Sequence, residues 1–398
     1  MLLARGAVAP VLLPGEVEGM AVLGHQALKE LLSHPEVAKN ARHFTALREG
    51  RIAEGWPLMT FTTVAGMTTA DGDDHRRLRS LVSSAFTARR VEELRPWVEE
   101  LTDTLLDRLE REAVDGVADL RRHFALPLPM GVIGELLGVD AGYRDRLHGL
   151  TSVVVATDTG PEQAVAANRE LVAVLSEIAA AKAEHPGDDL TTALIAARDE
   201  GGDRLSPQEL VGTLLTMIIA GHETTLNLIT NAVRALCGHR DQLDLVRKGE
   251  ANWADVVEET LRWDAPVSYF PFRYPVRDLV LDGTTIPRGT PVLAGYSAAG
   301  RDPVAYGPDA DLFKVTRTAR NLSLGHGSHY CLGAPLARLE AGTALERLFT
   351  RFPTLDLAVP EAELTRHAGF VGNSVRALPV RLGPSAAYQP YEPPMAPR

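Results

Sequence analysis

Cysteine is almost absent from this chain. Only Cys237 and Cys331 occur in 398 residues, so no disulfide framework holds the fold, and such usage suits a reducing compartment such as the cytoplasm. Two thiols are also too few to hold an iron–sulfur cluster by four thiolates. An excess of positive charge is missing as well. Forty-one Lys and Arg stand against 52 Asp and Glu, for a net charge of −11, which argues against nucleic acid or an anionic membrane as a main partner. Long hydrophobic runs are lacking too. The stretch after Met1-Leu2-Leu3-Ala4-Arg5 falls well short of the ~20 residues that span a bilayer, and Pro10, Pro14 and Glu16 break it before a signal peptide can form. The expectation is a cytoplasmic protein with no membrane anchor. There are no internal repeats, and an apolar content of 45% supports a sizeable core.

What is present reads mainly as helix. Residues 12–24 suggest short strands around a Pro-Gly turn, followed by a helix ending near His34-Pro35. Residues 55–70 have no helical period and read as a loop. Helical spacing recurs from His75 to about Glu112, over roughly 125–155 and over 161–184, and Asp189 is placed to cap the next helix. Ser206-Pro207-Gln208-Glu209 is a capping box with Pro at the first helical position, and it opens the longest helix, which runs to about Cys237. Residues 272–297 read as strands with Asp282-Gly283 as a hairpin turn. A last helix covers about 334–350. Length alone allows two or three domains or one large one. The proline-rich tail 384–398 is expected to be disordered, leaving 1–383 as the folded unit.

Two segments carry the chemistry. In Leu324-Gly325-His326-Gly327-Ser328-His329-Tyr330-Cys331-Leu332-Gly333-Ala334-Pro335-Leu336-Ala337-Arg338, three glycines let backbone bend toward a flat ligand, and Pro335 suits a helix start. Cys331 then meets free amides at a positive helix end, an environment expected to lower its pKa and favour the thiolate. On its own this cysteine is also compatible with a small buried hydrophobe, a hydrolase nucleophile, or a zinc ligand with His326 and His329, although that spacing fits no common zinc pattern. The second segment is Ala220-Gly221-His222-Glu223-Thr224-Thr225, where glycine and paired threonines are expected to interrupt the long helix and open it locally. Cys237, beside Ala235 and Leu236, reads as structural.

Together these segments resemble the cytochrome P-450 family of haem-thiolate monooxygenases. The family's motifs follow in its order across about residues 15–383: His75 and Arg79, Ala220–Thr225, Glu259 with Arg262, Arg273, Arg301-Asp302-Pro303, and the Cys331 loop. The resemblance implies a mainly α, single-domain fold with a small β region, and haem b held between the long central helix and the Cys331 helix. It implies Cys331 as the thiolate ligand of the iron, and Thr224 and Glu223 as the pair that binds dioxygen and relays protons. It implies His75, Arg79, Arg273 and His329 as partners of the haem propionates, and Glu259/Arg262 as a structural brace. Two positions depart from the family's pattern: Leu324 stands where Phe is usual, and Leu312 where an Arg often completes the brace, with Arg317 as a replacement.

The implied activity inserts one oxygen atom from O2 into a lipophilic small molecule, such as a polyketide, terpenoid or steroid. Electrons come from NAD(P)H through a separate ferredoxin and ferredoxin reductase. The alternatives are a peroxide-driven haem enzyme, a non-catalytic haem sensor and a cysteine hydrolase. Family position implies a substrate pocket from 55–69, about 150–182, Leu214, Met217, Ile218, Ala220, Val267–Phe270 and Gly369–Asn373. Arg76, Arg77, Arg338 and Arg347 are expected to form a local basic patch that docks an acidic ferredoxin.

Overall fold

The computed structural model describes residues 3, 6–155, 160–198, 202–367 and 370–386. The tail beyond residue 386 lies outside the described residues, and with it most of the segment expected to be disordered.

The longest helix organises the chain. It spans Pro207–Gly238 and starts at the expected capping box, with Ser206 accepting from the Glu209 amide and Glu209 accepting from the Ser206 amide. At ~1.5 Å per residue it is roughly 48 Å long, enough to cross the molecule. From Thr225 to Cys237 every residue is buried, as expected of a helix with neighbours all round. Those neighbours are Pro127–Leu136, Pro161–Glu184, Trp253–Trp263 and Ala334–Arg351. The expected interruption at Ala220–Thr225 does not occur, because the helix is continuous there. Gly221 serves packing instead: a Cβ added there would lie 3.1 Å from Ile133 Cδ1 on the neighbouring helix. The Thr224 hydroxyl donates back to the Ala220 carbonyl, which satisfies it without breaking the ladder.

Elsewhere helices divide where the sequence offers a cap. The run from His75 to Glu112 is three helices, Gly72–Ala85, Ala88–Glu93 and Arg95–Arg111, and the first break is capped by Thr87 accepting from the Arg90 amide. The 125–155 run is two, Pro127–Leu136 and Ala141–Val155. The 55–70 segment contains one helical turn, Met59–Thr63, and is otherwise loop. Asp189 caps its helix as expected, accepting from Thr192 N at 2.8 Å.

The principal sheet has five strands in the order Val8–Leu13, Val17–Val22, Val292–Ala294, Phe270–Pro275 and Val37–Ala38. All pairs are antiparallel except Val17–Val22 with Val292–Ala294. The register of Phe270–Pro275 slips between Phe270, opposite Ala294, and Arg273, opposite Val292. Residues three apart on a regular strand face opposite sides. The slip lets Phe270 and Arg273 line the same cavity. The Asp282-Gly283 hairpin forms as expected between Leu279–Leu281 and Thr284–Ile286.

The Glu259/Arg262 brace is fully buried, with side chains 3% and 1% exposed. Arg262 donates to both Glu259 oxygens at 2.7 and 2.6 Å, and to the carbonyls of Gly300, Ala310 and Leu312 at 2.6–2.7 Å. Glu259 also accepts from Lys314 N at 2.7 Å. Leu312 therefore contributes its backbone where relatives offer a side chain. Arg317 does approach as the third partner, its Nε 3.7 Å from Glu259 Oε1, an ion-pair separation too long for a hydrogen bond. The pair ties the Trp253–Trp263 helix to the 300–314 meander that precedes the cysteine loop. Arg262→Met removes the main cationic partner of buried Glu259, leaving only the Lys314 amide and the more distant Arg317, and is expected to cost up to about 3–5 kcal/mol of stability. A thermal midpoint equal to the parent's contradicts this role.

Candidate functional site

One internal cavity lies between the long helix and the cysteine loop. Met217, Ala220, Gly221, Thr224, Thr225 and Leu228 line it from the long helix, and Leu324, Gly325, His329 and Cys331 from the loop. Gly325 and Gly327 take positive φ angles of 82° and 73°, the conformation their lack of Cβ permits. The Cys331 amide closes the loop on the Leu324 carbonyl at 2.8 Å. Cys331 keeps accessible surface, but that surface faces the cavity. Protein atoms enclose the thiol on every other side, and burial pushes its pKa up, opposed by the Gly333 amide, Arg79, Arg338 and the Ala334 amide. The sequence reading of a depressed pKa is thus corrected: the amides are in place, but desolvation outweighs them. Cys237 is buried away from this cavity, its pKa raised by desolvation to about 12, in keeping with a structural thiol.

At one end of the cavity the expected cationic residues converge. Arg79, Arg273 and His329 all line it, and His75 stacks obliquely on His329 with ring centroids 4.0 Å apart. Burial, reinforced by the surrounding cations, lowers the His329 pKa to about 2, and burial beside Arg79 lowers that of His75. Both imidazoles are neutral. Arg273 is 5% exposed and its guanidinium meets the Tyr296 hydroxyl. Arg273 Nη1 and His75 Nε2 are buried without a hydrogen-bond partner. Buried donors of this kind call for an acceptor. Sequence reasoning missed Lys39 and Tyr296, which line the same cavity, and Glu340, a buried carboxyl in its wall whose pKa desolvation raises strongly. None carries a local motif.

Thr224 faces the cavity, but Glu223 turns away from it. Glu223 Oε1 accepts from Arg121 Nη2 and Asn227 Nδ2, each at 3.4 Å, and Arg121 Nη1 donates to Asn227 Oδ1 at 2.9 Å. The preceding residue, His222, is fully buried against His148, ring centroids 4.8 Å apart. Burial, with His148 and Arg121 nearby, lowers the His222 pKa to about 3.

Of the expected substrate-pocket residues, Met67, Thr68, Met217, Ala220, Val267 and Phe270 do line the cavity. Leu214 and Ile218 do not; they pack in the main core. Asn168, Val172, Ser176, Ala179 and Ala180, from the 150–182 stretch, line a separate outer groove of about 1140 Å³ instead. Asn373 is tied to Asp264 and Ala265 by its side chain. Residues 156–159 and Gly369 lie outside the described residues. Each arginine expected on a docking patch has an acidic partner in the chain. Arg76 pairs with Asp73, Arg77 with Glu209, Arg338 with Glu258, and Arg347, largely buried, with Glu99 and Asp103.

Comparison with known proteins decides the family. The Cytochrome P450 family model matches residues 254–374. The 2-hydroxy-5-methyl-1-naphthoate 7-hydroxylase of Streptomyces carzinostaticus is 39% identical over 96% of this chain and 94% of that protein. The chain belongs to the cytochrome P450 family. The vitamin D(3) 25-hydroxylase of Pseudonocardia autotrophica is 41% identical over 90% of this chain and 87% of that protein. The structure of CYP154C4 from Streptomyces sp. W2061 superposes with a TM-score of 0.94 at 44% identity, covering 97% of this chain and 95% of that one. This is the expected mainly α, single-domain P450 fold, and the protein is an oxygen-incorporating oxidoreductase whose cofactor is haem b. The residues present fit that group: apolar walls for the macrocycle, a thiol facing the cavity, and at one end orphaned donors suited to carboxylates. Among the described residues no helix is long and apolar enough to cross a membrane.

The depressed His222 pKa has a signed consequence. Between about 3 in the folded state and 6.5 unfolded, the unfolded chain binds the extra proton. Stability therefore rises with pH across that window by up to about 1.4 kcal/mol per pH unit, and is lost as pH falls through it. His222→Asn is expected to flatten the dependence of the thermal midpoint on pH between about pH 4 and 6.5. An unchanged slope contradicts the assignment.

Proposed function

We propose that this P450 inserts one oxygen atom of O2 into a lipophilic small molecule, with Cys331 as the residue whose thiolate would ligate its haem iron and Thr224 governing proton delivery. The supporting observation is that Cys331 and Thr224 line a single cavity from two different elements. Arg79, Arg273, His75 and His329 hold the propionates, the arginines by charge-assisted hydrogen bonds and the neutral imidazoles as hydrogen-bond partners. Haem supplies the redox chemistry when bound: reductive activation of O2 and cleavage of the O–O bond.

The chain's own residues manage protons and water. Heterolytic cleavage of O–O consumes two protons, which positioned side chains and waters deliver. In this geometry the Thr224 hydroxyl proton is committed to the Ala220 carbonyl, so its lone pairs face the cavity and accept a hydrogen bond from a water or substrate there. Glu223 does not reach the cavity. Its carboxylate is 20% exposed and held by Arg121 and Asn227, so a part in the relay requires it to turn inward or to act through water. Arg121, almost fully buried, restrains that motion.

The apolar cavity suits a lipophilic substrate. The relatives named for hydroxylating an aromatic naphthoate and vitamin D(3) support the same chemical range, with polyketides, terpenoids and steroids included. Two cysteines hold no four-thiolate cluster, so an iron–sulfur donor would be a separate protein. A ferredoxin served by its NAD(P)H-dependent reductase is the proposed donor. The Thr224 hydroxyl distinguishes this reading from peroxide-driven turnover, which brings its own protons.

The test uses 18O2, a ferredoxin and reductase, and a panel of lipophilic ligands selected by their shift of the Soret band. One 18O atom is expected in the product. Thr224→Ala is expected to keep haem and ligand binding while product formed per NAD(P)H falls by about tenfold or more, with peroxide or water released instead. Thr224→Ser restores coupling. Unchanged coupling in Thr224→Ala rejects the assigned role.

A further inference from the structure

Lys39 follows the short strand Val37–Ala38 and is 6% exposed. Its side chain lines the cavity beside Arg79, Arg273 and His329. The ammonium has little to hold it. Nζ lies 3.4 Å from the Pro271 carbonyl oxygen and 5.0 Å from the centroid of the Phe270 ring. Among the described residues no carboxylate forms an ion pair with it. Asp71 is the one acid whose charge reaches the ammonium, but its two oxygens are engaged elsewhere, accepting from the backbone amides of Lys39 at 2.7 Å and Asn40 at 2.9 Å. Asp71 therefore fixes the backbone that presents Lys39 and leaves the ammonium aimed at the cavity.

Counting charge at this end of the cavity gives the same result. Arg79 and Arg273 are cations, burial beside Arg273 holds the Lys39 pKa well below the ordinary lysine value so that its charge calls for a bound anion, and Asp71 is the nearby acid. Cationic donors therefore outnumber the acids at this end of the cavity, an arrangement that favours a bound anion. A ligand carrying two carboxylates cancels that excess and supplies acceptors for the orphaned Arg273 Nη1 and His75 Nε2.

We infer that Lys39 is a third cationic anchor of the haem propionates, acting with Arg79 and Arg273. The inference rests on the haem-binding reading above. It assigns to residue 39 a role in holding the cofactor and in setting its charge environment. A cation beside the propionates favours the reduced iron, so its removal shifts the reduction potential downward.

The test starts from holoenzyme of the parent, Lys39→Met and Lys39→Arg. Haem transfer to excess apomyoglobin is followed by absorbance, and the ferric/ferrous potential by redox titration. Lys39→Met is expected to lose haem about tenfold faster than the parent, the scale of one charge-assisted hydrogen bond, and to show a more negative potential. Lys39→Arg is expected to stay close to the parent in both. If Lys39→Met accumulates no holoenzyme, Lys39→Gln, which keeps N–H donors but no charge, carries the same measurements. Haem transfer and potential equal to the parent's in the charge-removing variant overturn the inference. So does weaker binding of an anionic lipophilic ligand with haem transfer unchanged, which assigns Lys39 to substrate instead. A parent that binds no haem overturns the cofactor reading itself, whereas a haem-replete parent with an indifferent Lys39→Met overturns only the role of Lys39.

Discussion

Cationic donors without enough internal acids set the terms of this structure. Lys39, Arg79 and Arg273 converge on one end of a cavity where Asp71 is already bound to backbone. Proteins rarely leave such groups unmatched, because desolvating a charge costs far more than a single hydrogen bond returns. The neighbouring imidazoles accommodate this by remaining neutral. A dicarboxylate cofactor would resolve the excess, and the same cavity is lined by Cys331 from the loop and Thr224 from the long helix.

Rigidity around the cavity comes from elsewhere. The long helix is buried along its second half by four other helices, and the Glu259/Arg262 pair ties the Trp253–Trp263 helix to three carbonyls of the meander leading to the cysteine loop. The strand carrying Arg273 reaches the cavity only because its register slips. These are long-range constraints, and each fixes a side chain that has no local reason to point where it does. Glu223 shows the contrast. One residue from Thr224 in sequence, it sits about 100° around the helix and belongs to a different network, with Arg121 and Asn227.

Local chemistry was legible in the sequence. The capping box at Ser206, the Asp189 cap, the Asp282-Gly283 hairpin and the helix beginning at Ala334 all form where their residues indicate, since each depends on neighbours within four positions. The resemblance named Cys331, Thr224, Glu223, His75, Arg79, Arg273 and His329; five of them line one cavity, His75 stacks on His329 beside it, and Glu223 turns away. What could not be read was set by burial and by partners distant in sequence. Lys39 lies in an unremarkable Val37-Ala38-Lys39-Asn40 stretch, and its neighbours Pro271 and Phe270 come from a strand more than 200 residues away. The upward shift of the Cys331 thiol reflects enclosure that the loop sequence does not encode. The four arginines expected on a docking face each pair with an acid, and the partners of Arg77, Arg338 and Arg347 come from other helices.

The central claim is that Cys331, and not Cys237, ligates the haem iron through sulfur. The carbon-monoxide difference spectrum of the dithionite-reduced protein reports this most directly, because thiolate ligation moves the Soret band far to the red of the position that histidine or water ligation gives. The account predicts the red-shifted band in the parent and in Cys237→Ser, and its loss in Cys331→Ser. A Cys331→Ser protein that retains the band, or a Cys237→Ser protein that loses it, contradicts the account.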